Sequence, residues 1–213
     1  MKRVALLNYL IETQGYDSYL EIGCGSDRTF RRIAASHRVG VDPQRGGTLR
    51  MTSDDFFAVN CEQFDLIFVD GLHLAEQVLR DVDHALQCLT PAGCVVLHDC
   101  LPIREHHQLR TPSRRSWTGD VWKAAVQLRQ RRDCDFAVLD SDWGLGVLFP
   151  RPNTDLLPPQ PALSWNDFCR NRDNLLRVID EDALEDFVNG RPVATSLQRG
   201  ATSMHTRGDL QDG

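Results

Sequence analysis

The stretch "FDLIFVDGLHLAEQVLRDVDHALQCLTPAGCVVLHD", Phe64 to Asp99, decides the fold class. Phe64 to Val69 form a short run, apolar except at Asp65, of the kind found in strands buried on both faces. In "LAEQVLRDVDHALQCL", Val78, Val82, Ala85, Leu86 and Leu89 share one stripe at 3.6-residue spacing, which predicts a helix. "TPAG" stops that helix, and Gly93 turns the chain into a second buried run, Cys94 to Leu97. Strand, helix and strand make the repeating unit of a parallel sheet. Each strand then delivers an acid and a histidine, Asp70 with His73 and Asp99 with His98. Doubly wound sheets bind their ligands beyond the carboxyl ends of the strands, so both pairs are expected at one active site.

The rest of the chain extends the pattern on both sides. "MKRVALLNYLIETQG" predicts a short amphipathic helix, and Tyr19 to Ile22 a strand that runs into the glycine turn of "EIGCGSD". "RTFRRIAASH" has helical spacing, "RVGVDP" reads as a second strand stopped by Pro43, and "GTLRMTSDDFF" as a third strand leading to a helix through Phe56 and Phe57. A polar loop from Cys100 to Trp117 follows the 94–97 strand, and loops of that length in compact domains are usually functional. "GDVWKAAVQLRQRR" predicts another helix, "CDFAVLDSDWGLGVLFP" two closing strands, and "SWNDFCRNRDNLLRVIDEDALEDFVNG" one or two helices. The expected fold is α/β: a doubly wound, mostly parallel, Rossmann-like sheet with helices on both faces. Residues 1–150 would form that domain, 151–190 a helical C-terminal extension, and 191–213 a disordered tail.

Composition excludes several classes. A net charge of −6 over 213 residues argues against nucleic acid as a partner, since phosphate backbones call for a basic face. No apolar run approaches the length of a membrane span, so no membrane partner is expected. The seven cysteines are scattered with no C-x-x-C pair, and Cys24, Cys88 and Cys94 sit in or beside apolar runs. Such thiols suit a reducing cytoplasm better than a disulfide framework. The first helix lacks the features of a signal peptide. A homodimer is carried as one expectation for the assembly.

Two features suggest a nucleotide-type ligand. Glycines in "EIGCGS" let the backbone approach a ligand closely, and Asp42, ending the second strand 21 residues after Glu21, is placed to accept hydrogen bonds from ribose hydroxyls. Arg28 occupies the position where a pyrophosphate-binding turn wants a small residue, and Glu21 would repel a pyrophosphate. Both disfavour NAD and suit a ligand with a cationic amino-acid end, such as S-adenosyl-L-methionine.

"YLEIGCGSD", "VGVDP", "TSDDFF", "FDLIFVDGLH" and "LTPAGCVVLHDCLP" together resemble the class I S-adenosylmethionine-dependent methyltransferases, in the expected order from Asp17 to Pro150. More narrowly, "DGLH…HDCLP…WTGDVWK…DWG" is similar to a group of small bacterial methyltransferases. The resemblance implies that Glu21, Gly23 and Gly25 surround the methionine end, that Asp42 holds the ribose, and that Ser53 and Asp54 lie by the adenine. Asp70 would border both cofactor and acceptor. The layout also resembles metal-dependent catechol and sugar O-methyltransferases, in which an acid ends the fourth strand, a base follows three residues later, and further ligands end the fifth.

That resemblance implies His73 as the catalytic base and Asp70 with Asp99 as ligands of a divalent metal ion. His98 and Cys100 flank Asp99 here, where those relatives carry a second oxygen ligand, and they suit manganese, iron or zinc better than magnesium. His98, Trp117, Asp120 and Lys123 are the candidate substrate contacts, because tryptophan and charge at a helix start suit a polar ring. The expected reaction is O-methylation of a small-molecule acceptor such as a sugar or natural-product intermediate. The alternatives are a metal-independent N-methyltransferase and a non-catalytic cofactor-binding subunit. For single residues, Asp70 could instead cap the next helix, His98 could bond only to backbone, and Thr118 or Asp120 could cap the helix that follows them.

Overall fold

The computed structural model describes residues 1–112 and 116–193. Seven strands make one sheet: β1 (Ser18–Ile22), β2 (His37–Val41), β3 (Phe64–Val69), β4 (Leu89–Leu97), β5 (Asp135–Leu139), β6 (Leu145–Phe149) and β7 (Val178–Ile179). Their order is β2-β1-β3-β4-β6-β5-β7. Every pairing is parallel except those of β6, which runs against both β4 and β5. The expected Rossmann-like architecture is therefore present, with a single reversed strand.

Alternation along the central strands builds two cores. Ile67, Val69, Val95 and Leu97 face one cluster, shared with α3 (Ala75–Gln87), α4 (Val121–Arg129) and α5 (Trp165–Leu176). Leu66, Phe68, Cys94 and Val96 face the other, shared with α1 (Arg3–Gln14) and α6 (Glu181–Val188). Leu6, Leu7 and Leu10 of α1 are fully buried. Each such side chain contributes about 1.5–3 kcal/mol, which fixes the start of α1 against the sheet. No helix among the described residues is long and apolar enough to cross a membrane.

The structure corrects several local expectations. "RTFRRIAASH" forms only a 3-10 turn, Phe30–Arg32. Asp27 adopts a left-handed φ of 59°, and the Asn8 side chain bonds Arg32 O and Ala34 N, taking the groups a longer helix would pair internally. The expected third strand is absent. Gly46 and Gly47, both with positive φ, reverse the chain, and all that remains is a single bridge between Val41 and Leu49. "TPAG" lies within β4, whose register with β3 shifts at Phe64–Leu66, where Gly93 packs so closely that a Cβ on it would come 2.8 Å from the Asp65 carbonyl.

α2 (Ser53–Val59) runs through Phe56 and Phe57 as expected, and α5 and α6 fill the stretch after Pro161. Between them β7 joins the main sheet beside β5, and buried Arg177 donates to Asp135 at 2.7 Å. The tail expected from Arg191 lies outside the described residues from 194 onward.

Candidate active site

The carboxyl ends of β1, β2, β3 and β4 open into two adjoining cavities, of about 640 and 450 Å³. Both sizes fall in the range of small-ligand sites. The larger is lined by Gly23, Asp42, Ser53, Asp54, Leu72 and Gln77. The smaller is lined by Glu21, His73, His98, Asp99, Trp117 and Trp143. Gly23, Gly25, Asp70 and Trp117 border both, so a ligand in one cavity can present an atom to a ligand in the other.

Local geometry explains the glycine turn. Gly23 has φ 90°, and a Cβ there would overlap the Asp70 carbonyl oxygen and lie 2.5 Å from its carbonyl carbon. The turn after β1 thus packs directly on the end of β3. Asp42 accepts from the amides of Gly25, Gln44 and Arg45, each at 2.8 Å. Burial disfavours its charge, but those amides and Arg50 outweigh burial and hold its pKa below the usual carboxylate value.

Ser53 and Asp54 stand at the start of α2, whose N-cap Thr52 accepts from the Asp55 amide at 3.1 Å. Gln77, on α3, donates to Ser53 Oγ at 3.3 Å and to Asp54 and Asp81 carboxylates at 3.0 Å each. Its helical stripe gave no hint of this, since it occupies a polar position between Val78 and its neighbours.

Glu21 is buried, and its carboxyl accepts from the buried Tyr19 hydroxyl at 2.6 Å. Burial pushes its pKa up to about 8, despite the hydrogen bond from Tyr19.

The two acid–histidine pairs converge. His73 Nδ1 lies 3.2 Å from Asp99, and His73 Nε2 lies 3.5 Å from Asp70. His98 Nδ1 lies 3.2 Å from Asp70 and 3.0 Å from Asp99. These are ion-pair distances without good hydrogen-bond direction, for His73 Nδ1 and both ring nitrogens of His98 lack a hydrogen-bond partner. Asp99 takes a left-handed φ of 64°, a strained turn that re-aims the chain after β4.

Arg3, at the start of α1, donates to Asp70 at 2.9 Å and to Asp142 at 3.0 Å. Burial opposes charge on Asp70, yet His98, His73 and their contacts outweigh it and hold Asp70 well below the usual carboxylate range. Burial likewise opposes charge on the histidines, but Asp70 and Asp99 prevail. They push His98 up to about 10 and raise His73 above its ordinary value.

Aromatic rings form the walls. Trp117 stacks on His73, centroids 4.9 Å apart and planes 20° apart, and its indole N–H donates to the Leu109 carbonyl. Trp143 sits edge-on to His107 at 5.0 Å, in a turn where Asp142 and Trp143 both have positive φ. Neither Trp143 nor Arg3 was a sequence candidate. The "DWG" motif contains the first without assigning it a role, and nothing in the pattern pointed to the second.

Asp120 and Lys123 line neither cavity. The buried carboxylate of Asp120 accepts from the Ala75 amide at 2.9 Å and from Arg110 at 2.8 Å, so it caps α3 from another segment. Asp70 does not cap that helix; its N-cap is Leu74, which offers no side-chain bond. Lys123 is partly exposed, 3.9 Å from Asp120.

Asp70, His73 and Asp99 each offer one ligand atom, all within 4.8 Å of one another. Two carboxylates and an imidazole suit manganese, iron or zinc, and the unsatisfied His73 Nδ1 is consistent with a missing partner. These residues therefore fit a divalent ion. Arg3 holds one oxygen of Asp70 and leaves the other facing the histidines.

Residues 10–100 match a family described as a methyltransferase domain. In fold the chain is similar to the O-methyltransferase TomG from Streptomyces achromogenes, which is involved in tomaymycin synthesis and was solved with S-adenosylmethionine. The identity is 14%, over 70% of this chain and 79% of that one, with a TM-score of 0.53. It is also similar to the methyltransferase PaMTH1 from Podospora anserina, bound to S-adenosylhomocysteine: 15% identity, 71% and 78% coverage, TM-score 0.52. An O-methyltransferase from Bacillus cereus, also bound to S-adenosylhomocysteine, gives 14%, 68%, 79% and 0.50 on the same measures. No curated protein matches the chain in sequence.

Proposed function

We propose that this chain, which carries the fold of the class I S-adenosylmethionine-dependent methyltransferases, transfers a methyl group to a hydroxyl of a small polar acceptor. The observation that carries the reading is the convergence of His73, Asp70, His98 and Asp99 where the two cavities meet. The cofactor would occupy the larger cavity, its ribose by Asp42 and its adenine by Ser53, Asp54 and Gln77. Its methionine end would reach Glu21 and the glycine turn. The acceptor would lie in the smaller cavity between Trp117 and Trp143.

Methyl transfer from a sulfonium is an in-line displacement, so the acceptor must be aligned and its proton removed. His73 is suited to take that proton through Nε2, the nitrogen farther from its carboxylate, while Asp99 would orient the ring through Nδ1. Catalytic hydrogen bonds are often poorly aligned before substrate binds, which accords with the geometry at Nδ1. Trp117 restrains the imidazole plane. Asp70 and Asp99 would hold a divalent ion, which when bound would orient a hydroxyl and lower its pKa. A metal-free variant of the reading is favoured by Arg3 and His98, which already give both carboxylates cationic partners.

The test is transfer of labelled methyl from S-adenosylmethionine to a panel of hydroxylated and aminated acceptors, with and without chelator. Loss with chelator and recovery with manganese, iron or zinc is expected, and Asp99→Asn should remove that response. Activity that ignores chelator but needs His73 would sink the metal and leave the base. Methylation of amines alone would sink the O-transfer reading.

Glu21 makes a further expectation specific. Its carboxyl is neutral below about pH 8, whereas a ligand ammonium favours the carboxylate. Cofactor affinity should therefore rise with pH, approaching ten-fold per unit between pH 6 and 7, with a proton released on binding. Calorimetry should show no such slope for 5′-methylthioadenosine, which lacks the amino-acid end, or for the Glu21→Gln variant. Equal slopes for both ligands would rule out the pairing.

A further inference from the structure

We propose that Arg28 and Arg45 form an anion-recognition pair at the mouth of the smaller cavity, taking a carboxylate or phosphate of a ligand that enters it. The inference rests on the methyltransferase reading for the identity of those ligands. Both arginines line this cavity, and Arg45 also borders the larger one. Both are exposed, and among the described residues neither guanidinium has a carboxylate within ion-pair reach.

The nearby acids are committed elsewhere. Asp27 accepts from the Gly47 amide at 2.7 Å and lies 3.5 Å from Arg31. Asp42 is held by three backbone amides and approached by Arg50 at 3.9 Å. On the cavity floor, Asp70 is matched by Arg3 and His98, and Asp99 by His73 and His98. The remaining acid of the cavity, Glu21, is buried beneath it, accepts from the Tyr19 hydroxyl and has its pKa pushed up to about 8 by burial, so it does not neutralise the exposed pair.

The two segments are also fixed to each other. Gly47 bonds Asp27, Gly25 bonds Asp42, and a Cβ on Gly46 would come 2.5 Å from the Gly25 carbonyl. Arg45, next to Gly46, is thereby placed beside the turn that carries Arg28. Guanidinium forks match carboxylate and phosphate oxygens in pairs, which a lysine cannot do. Two sources can supply the anion: the carboxylate on the cofactor's methionine end, or a charged group on the acceptor.

The experiment compares wild type, Arg28→Gln, Arg45→Gln and the double variant, each checked for unchanged melting. Calorimetry would measure S-adenosylhomocysteine, 5′-methylthioadenosine, and inorganic phosphate added to the protein with and without saturating S-adenosylhomocysteine. A roughly ten-fold loss for S-adenosylhomocysteine with 5′-methylthioadenosine unchanged would establish the pair as the reader of the cofactor's carboxylate. Unchanged S-adenosylhomocysteine, with wild-type phosphate binding lost in the double variant, would establish it as the reader of an acceptor anion. Variants that bind all three like wild type, or lose both nucleosides equally, would overturn the proposal. Failure of wild type to bind S-adenosylhomocysteine would instead overturn the methyltransferase reading, and phosphate binding to the free protein would still decide the pair.

Discussion

His73→Ala is expected to lower kcat by about two to four powers of ten, the usual worth of a positioned base, while S-adenosylhomocysteine affinity stays nearly constant. The side chain faces the smaller cavity, whereas the backbone that shapes the site is held independently: the His73 carbonyl accepts from the Asp120 amide at 3.3 Å. The remaining turnover should also lose its pH dependence. His73 must be neutral to accept a proton, and Asp70 and Asp99 raise its pKa despite burial. In the parent, kcat should therefore climb with pH through a midpoint above the ordinary imidazole value of about 6.5. Asp99→Asn removes one source of that shift and should move the midpoint down. Exposed His37, which pairs with Glu62 far from the cavities, serves as the control, and His37→Ala should change nothing. Turnover by His73→Ala within a few-fold of the parent would rule out His73 as the base, and normal turnover by the Asp70 and Asp99 variants as well would leave the acids and histidines as strand-end fixtures.

Gly23→Ala is expected to have the largest effect on the folded state. The new Cβ would be forced into the Asp70 carbonyl at a φ that side chains rarely adopt. Strain and overlap together should cost about 2–5 kcal/mol and displace Asp70 from Arg3 and His98. The fitting comparison is Gly15→Ala. Gly15 has φ 68° at the end of α1, but a Cβ there meets nothing within 4 Å, leaving only the left-handed penalty of about 1–2 kcal/mol. Denaturant melts should rank Gly23→Ala clearly below Gly15→Ala, and only the former should lose cofactor binding. Equal losses would mean that the β1 turn can move away from β3, and that the close packing is not what shapes the site.

Much of this was open to reading from residue order alone. The runs at Phe64–Val69 and Cys94–Leu97 are apolar on both faces because both faces of the sheet are covered, so their burial pattern is written locally. The α3 stripe is equally local, since Val78, Val82, Ala85 and Leu86 recur at the period of one turn, whereas Leu89, expected to end the helix, is the first residue of β4. These elements fix the direction of the strands, and strand direction fixes the edge at which Asp70, His73, His98 and Asp99 emerge.

The misread segments lack such local determination. "RTFRRIAASH" has helical spacing, but Asn8 on a distant helix supplies its hydrogen bonds. "GTLRM" has strand-like composition, but two glycines with positive φ turn it away from the sheet edge. β7 is two residues long, and its place beside β5 depends on partners such as the buried Arg177–Asp135 pair.

What the sequence by itself determined is the fold class, the order of most elements and the end of the sheet that carries the chemistry, because hydrophobic period and strand polarity are properties of contiguous residues. What only the tertiary structure decided is which side chains share that end. Arg3 arrives from α1, Trp143 from a strained turn between β5 and β6, and Gln77 from the polar side of α3, while Asp120 is drawn off to cap α3. Those positions are set by how helices and turns dock on the two faces of the sheet. Contacts between residues 67, 139 or 45 positions apart leave no periodic trace in the chain.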